Sequence, residues 1–442
     1  MKIDNANKFN NSLSLLVLIS PVFFLTVKHW TNLVVLVLFV SCIYRLITQE
    51  EPQSSLAHSK GWRQIICGMF AAPLIAVALS QLLRFGLYMP NWDGPFRLVL
   101  CVPVFLAIAS GNLRLVSNKS ICQIWVTLVL PLTLLWTLFF RINWPTNWGA
   151  DFGAPKLTTY FVDPLSFGSY TILFAFLVLL GISEFWNKVG VTIRCLCGLA
   201  ILAGFYLSLT SGSRTGWFNL PIFITIWAFW VLKPVIGGKK TILLVAMLLL
   251  ILLGMLVSNE YLLNKFSLAW IEINNYKINE MNADTSVGLR LSFYRMGAIF
   301  FLERPFSGWG DLGWMAQFKK EELSQFASQY ARESLKHGFH NEIITNAVRS
   351  GVWGLIASLS IFGVVFIRAI QGLNLKSTGE HRIVSLTLLV FISHLFIAGL
   401  TTEITNLVFL TSFIGLSLAV LLGEQIYLEE KLLACTKNIT RY

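Results

Sequence analysis

Apolar residues run along this chain in blocks of roughly 15–25 positions, separated by short polar breaks. About twelve blocks reach the length a helix needs to cross a bilayer: 12–27, 31–48, 64–83, 97–111, 121–140, 165–185, 192–210, 216–232, 241–258, 343–367, 383–400 and 405–423. The pattern predicts an all-α polytopic integral membrane protein with about 12 transmembrane helices. It divides the chain into 1–258 with spans one to nine, 259–342 as one long polar loop, and 343–442 with spans ten to twelve and a tail. The first block is too long and wrongly flanked for a signal peptide, and the next span follows at once.

The long loop is polar without being a polybasic tail, because residues 259–340 carry nine basic and nine acidic side chains. Its pattern is partly helical. Thr285 or Ser286 can cap a helix running to about Leu302, and Pro305 follows soon after that end. Residues 307–313, Ser-Gly-Trp-Gly-Asp-Leu-Gly, read as a turn-rich crossing. Residues 314–336 then suggest an amphipathic helix, with Phe318, Leu323, Phe326 and Tyr330 at helical spacings. A loop of this length in a compact protein is usually functional.

Composition agrees with the pattern. Hydrophobic residues make up 55% of the 442 positions, charged residues only 13%, and mean hydropathy is +0.68; a soluble chain of this size would sit near 25% charged. The net charge of +12 would suggest nucleic acid in a soluble protein, but its distribution removes that reading. With the N-terminus placed in the cytoplasm, 18 of the 34 Lys and Arg fall on inner segments and six on short outer ones, and the other ten lie between Lys265 and Arg349. This bias places both termini in the cytoplasm and the long loop outside. The seven cysteines lie in or beside apolar runs or in the tail, so no disulfide framework is implied. Cys195-Leu-Cys197 lacks metal-ligand spacing and sits in an apolar helix, where packing is its role.

Three polar signals fall on the outer side. Ser211-Gly-Ser-Arg-Thr-Gly216 places Arg214 at a membrane boundary between two glycines. It is either a snorkelling arginine in a tight turn or an anion site, since guanidinium binds phosphate oxygens bidentately. In Gly288-Leu-Arg-Leu-Ser-Phe-Tyr-Arg295, Arg290 and Tyr294 share a helix face while Arg295 points partly elsewhere; ordinary surface charges are the plain alternative. His337-Gly-Phe-His-Asn-Glu342 sets His340 within or just before the first turn of span ten. The helix dipole there disfavours imidazolium, which suits a proton acceptor, although an interfacial hydrogen-bonded histidine fits as well. Walker, GxSxG and HExxH motifs and outer Asp-x-Asp carboxylates are all missing, which sets aside the enzyme classes built on them.

Together these stretches resemble the bacterial O-antigen ligase family, a group that extends to O-antigen polymerases and protein O-oligosaccharyltransferases. The matching residues are Leu209-Thr-Ser-Gly-Ser-Arg-Thr215, Ser286-Val-Gly-Leu-Arg-Leu-Ser-Phe-Tyr294 with Pro305-Phe306, and His340-Asn-Glu-Ile-Ile344 with Gly351 and Gly354. The twelve-span layout, the single long loop before span ten and the order Arg, Arg, His match too. The resemblance implies an inverting, metal-independent glycosyltransferase of the inner membrane that works at the periplasmic face without a cofactor. Its donor would be O-antigen preassembled on undecaprenyl pyrophosphate and its acceptor the lipid A–core oligosaccharide. It implies catalytic roles for Arg214, Arg290 and His340, with Arg295, Tyr294 and His337 as further substrate-binding candidates. Some relatives carry a second histidine two residues before the matching one, where this chain has Gly338. O-antigen polymerase is the nearest alternative, and the short 141–164 loop with the His-Asn-Glu-Ile-Ile run favours ligase. A transporter or flippase is a more distant one; it would predict charges at mid-membrane depth, where Arg349 and His394 are the main examples.

Overall fold

A computed structural model describes residues 12–48, 59–113, 120–148, 156–258, 260–276, 284–317, 321–325, 327–335, 338–375 and 379–439. Among them, ten helices are long and apolar enough to cross a membrane. In chain order the helices are α1 Trp30–Thr48, α2 Lys60–Leu83, α3 Met89–Ala109, α4 Ile121–Asn143, α5 Pro164–Lys188, α6 Val191–Ser211, α7 Arg214–Ile236, α8 Gly238–Ser258, α9 Glu260–Asn274, α10 Ser286–Glu303, α11 Gly310–Gln317, α12 Gln329–Ser334, α13 Glu342–Asn374, α14 Glu380–Gly399 and α15 Val408–Ile439. The ten are α1–α7 and α13–α15. The predicted ninth span falls on α8, a further apolar helix of 21 residues.

The first predicted span behaves differently. It is helical over 12–19 and then turns continuously to residue 29. Pro21 has no N–H to give, and the segment closes i→i−3 bonds instead, as in Val22 N to Ile19 O at 3.0 Å and Thr26 N to Phe23 O at 3.1 Å. It is still buried: Phe24 stacks on Phe413 at 3.9 Å. Hydropathy reads such a stretch correctly as interior and wrongly as α-helix.

Helices α5, α14 and α15 are apolar on nearly every face and form the bundle interior, while α1, α6 and α7 lie outside them. Asp163 caps α5, its side chain accepting from Ser166 N at 2.9 Å. Between α4 and α5 lies a small antiparallel strand pair, β1 Thr146–Trp148 with β2 Lys156–Thr158.

The 259–342 stretch forms its own core. Phe293, Met296 and Phe300 of α10 join Trp309, Trp314, Leu323, Leu335, Phe339 and Val348 in a cluster separate from that of the bundle. Thr285 is the N-cap of α10, accepting from Gly288 N at 3.2 Å, as the sequence predicts. The continuous helix expected over 314–336 is instead three short pieces, α11, a 3₁₀ turn Glu321–Gln325 and α12. Ser328 causes one of the breaks by capping α12 through Ala331 N at 3.0 Å. Phe318 and Phe326, part of the expected stripe, lie outside the described residues.

Helix α13 breaks at Gly351, whose φ of 64° and ψ of −149° no side-chain-bearing residue adopts readily. The break lets the 304–310 segment dock: Pro305 O accepts from Val352 N at 2.7 Å, and Trp309 N donates to Val348 O at 2.9 Å. A Cβ at Gly351 would stand 2.4 Å from Pro305 O. Gly351→Ala is therefore expected to lower stability by about 1–3 kcal/mol, read as a lower melting temperature of the detergent-purified chain.

Candidate functional site

Arg214 owes its position to a tight helix-to-helix turn. Helix α6 ends in Gly212, left-handed at φ 66°, whose N–H bonds Leu209 O at 3.1 Å. Ser213 is the N-cap and Arg214 the first residue of α7. The turn nests against α5, where a Cβ at Gly168 would meet Ser211 Oγ at 2.1 Å. Ser213 Oγ also donates to Leu165 O at 3.1 Å. Glycine at 168 is thus what lets the arginine-bearing turn seat on the bundle.

Arg290 and Tyr294 lie one turn apart on α10, as their spacing predicts. Tyr294 donates its hydroxyl to Leu400 O at 2.6 Å, tying α10 to the end of α14. Next to that carbonyl, Thr401 Oγ1 lies 3.3 Å from Thr215 Oγ1, the residue following Arg214. The turn after α14 therefore joins the two arginine-bearing segments. The arginines themselves interact: burial lowers the Arg290 guanidinium from its ordinary value, Tyr294 acts against that, and the charge of Arg214 adds to it. Both guanidiniums are half-buried, and among the described residues neither has an acidic partner.

His340 stands next to the same helix. Its ring lies 5.8 Å from that of Phe293, inclined by 31°, and Phe293 precedes Tyr294 on α10. The residue sits just before α13, whose cap is Asn341, with Oδ1 accepting from Ile344 N at 3.0 Å. Its φ of 50° is in the left-handed region, an unusual conformation that surrounding structure has to hold. The chain on either side of it packs closely on α10, where a Cβ at Gly297 would fall 2.3 Å from Ile344 Cγ2 and 3.2 Å from Phe339. Arg295 is exposed on α10, and His337 lies outside the described residues.

The sequence reading passes over the 400–407 turn entirely. Its Thr-Thr-Glu run looks like any polar break between spans, yet its groups bridge the site. Glu403 accepts from Thr345 Oγ1 at 2.7 Å and from Asn406 Nδ2 at 3.1 Å, and a Cβ at Gly338 would overlap its carboxylate. Glu403 therefore touches the chain on both sides of His340. The network continues through Asn406 to Arg349 (2.7 Å), Asn346 and Glu342, which returns to Thr405 N at 3.1 Å. Glu403→Gln keeps the shape and removes the charge. It is expected to slow catalysis about 10- to 100-fold with little change in melting temperature, as a misplaced reacting group does. An equal loss of stability and activity would make Glu403 structural only. Among the described residues, no group of three or more His, Cys, Asp or Glu side chains gathers as a metal site.

Residues 198–359, which take in Arg214, Arg290 and His340, match the family model described as O-antigen ligase; the 400–407 turn lies beyond that match. The chain is 28% identical over 200 residues to an uncharacterized protein of Haemophilus influenzae, covering 45% of this chain and 49% of the relative. It is 26% identical over 150 residues to an O-antigen ligase of Escherichia coli K12, covering 32% of this chain and 33% of the relative. The matched stretches thus span less than half of either relative.

Proposed function

From the O-antigen ligase domain at residues 198–359, we propose that this protein is an O-antigen ligase of the bacterial inner membrane. It moves a preassembled glycan from undecaprenyl pyrophosphate to a hydroxyl of the lipid A–core oligosaccharide. The observation that carries the reading is the convergence of the segments bearing Arg214, Arg290 and His340, through the Thr215–Thr401, Tyr294–Leu400 and Phe293–His340 contacts.

The reaction asks for what these residues supply. The acceptor oxygen bonds to the anomeric carbon as the bond from that carbon to the pyrophosphate oxygen breaks, so the anomeric centre inverts. The electron pair leaves with undecaprenyl pyrophosphate, and Arg214 and Arg290 neutralise the charge that develops there. The hydroxyl proton passes to His340 as general base. No step needs ATP or a metal, because the donor carries its own activation.

The same charge distribution that orients the spans puts both termini in the cytoplasm and this site at the periplasmic face. Reporter fusions after Lys240 and Arg382 are expected to read as cytoplasmic, and a fusion at Gln325 as periplasmic; reversal at two of the three overturns the orientation. Of Arg349 and His394, which a transporter reading would use, Arg349 is held in the hydrogen-bonded network described above. His394 stands edge-on to Tyr170 at 4.7 Å inside an aromatic cluster.

O-antigen polymerase shares the donor and differs in acceptor. A deletion strain separates the two. Loss of the lipopolysaccharide ladder with accumulation of lipid-linked polymer supports ligase, and a core bearing one repeat unit rejects it in favour of polymerase.

A further inference from the structure

Helix α7 carries Arg214 at one end and loses its regularity at the other. Residues Ala228–Leu232 form a π-helical turn, with Lys233 N bonded to Ala228 O. Pro234 follows and has no N–H for Trp230 O, four residues back; Arg382 of α14 donates its guanidinium to that carbonyl instead. The widened end leaves a cavity of about 370 Å³ between α7 and α8, lined by Thr225, Ala228, Phe229, Lys233, Thr241 and Ala246 among others.

The wall asks for an apolar occupant. Both threonines spend their hydroxyls on their own helices, Thr225 on Pro221 O at 2.7 Å and Thr241 on Gly237 O at 2.9 Å. Lys233 is the one charged group in the lining, its Nζ 4.2 Å from the Phe229 ring. Gly238 makes room beside it, since a Cβ there would lie 4.0 Å from Lys233 Cε. The same turn carries Lys239 and Lys240 exposed, with no acidic residue between 233 and 240. The mouth is therefore cationic and the interior is hydrocarbon-like. Along α7 this mouth is about 28 Å from Arg214, close to a bilayer's apolar thickness, so it opens at the opposite membrane surface.

We propose that this cavity holds one acyl chain of an anionic phospholipid, with the phosphate at Lys233, Lys239 and Lys240. The lipid belongs to the leaflet on the lysine-rich side, away from the arginine–histidine site. Charge complementarity selects the headgroup, and an apolar slot with one lysine in its wall and two more in the adjoining first turn of α8 matches a chain attached to a phosphate.

The test is native mass spectrometry of the full chain purified in detergent, with dioleoyl phosphatidylglycerol, dioleoyl phosphatidylcholine and undecaprenyl phosphate as probes. The wild type is expected to keep one phosphatidylglycerol at activation energies that strip phosphatidylcholine. Lys233→Gln is expected to lower that retention about fivefold, the effect of one surface lysine. Ala246→Trp, which fills the slot, is expected to abolish it. Lys233 is exposed, so its variant reports on binding even if the tryptophan disturbs folding. Equal retention of phosphatidylcholine, wild-type retention in Lys233→Gln, or displacement of phosphatidylglycerol by undecaprenyl phosphate each overturns the proposal. None of these readouts depends on glycan transfer.

Discussion

Replacing Arg214 or Arg290 with alanine is expected to lower glycan transfer about 10²–10³-fold, the usual effect of removing one preorganised group that stabilises developing charge. The two positions should behave alike, because each guanidinium lies within the other's field and neither is neutralised by a carboxylate among the described residues. Donor should stabilise the wild type against unfolding, and each alanine variant should lose most of that stabilisation. Lysine at either position keeps the charge and loses the planar fork, so it should recover only part of the rate. The assay is purified enzyme with lipid-linked glycan and core acceptor. Full transfer by both alanine variants would remove the anion site.

His340→Ala is expected to cost about 10²–10⁴-fold while leaving donor binding intact, the range for loss of a positioned general base. The pH profile, taken from about pH 5 to 9, distinguishes two roles for the ring. A base fails toward acid pH because it becomes protonated and can no longer accept the hydroxyl proton. A cationic donor to the pyrophosphate fails toward alkaline pH because it loses the proton it donates. Activity greatest on the acid side and lost above neutrality would refute the base role and keep His340 in the site.

Thr285 illustrates what local chemistry makes legible. A threonine before an apolar run, with a proline after its end, defines α10 to within a residue or so, because capping depends only on neighbours in sequence. That Arg290 and Tyr294 share a face was legible for the same reason, since spacing sets which residues of one helix lie together. The turn at 400–407 was not. Leu400 contributes a backbone carbonyl, which every residue has, and Glu403 acts by touching Gly338 and Thr345, some sixty residues earlier in the chain. The break of the 314–336 helix likewise depends on tertiary partners. Ser328 caps α12 and also bonds Asp284, a residue at the other end of the loop. Hydrophobic periodicity carries no record of such partners. Nor does it distinguish an α-helix from the buried turns after Pro21, which differ in backbone hydrogen bonding and hardly in composition.

The site draws on four segments far apart in the chain, and this has a consequence in time. Arg214 leaves the ribosome roughly 190 residues before Thr401. At about 5–20 residues per second, roughly ten to forty seconds separate them. Over that interval the first arginine is already placed at the end of its helix, while the carbonyl that receives Tyr294 and the carboxylate that flanks His340 have not been made. Until then the arginine-bearing turn stands without the groups that tie α10 and the His340 segment to the end of α14.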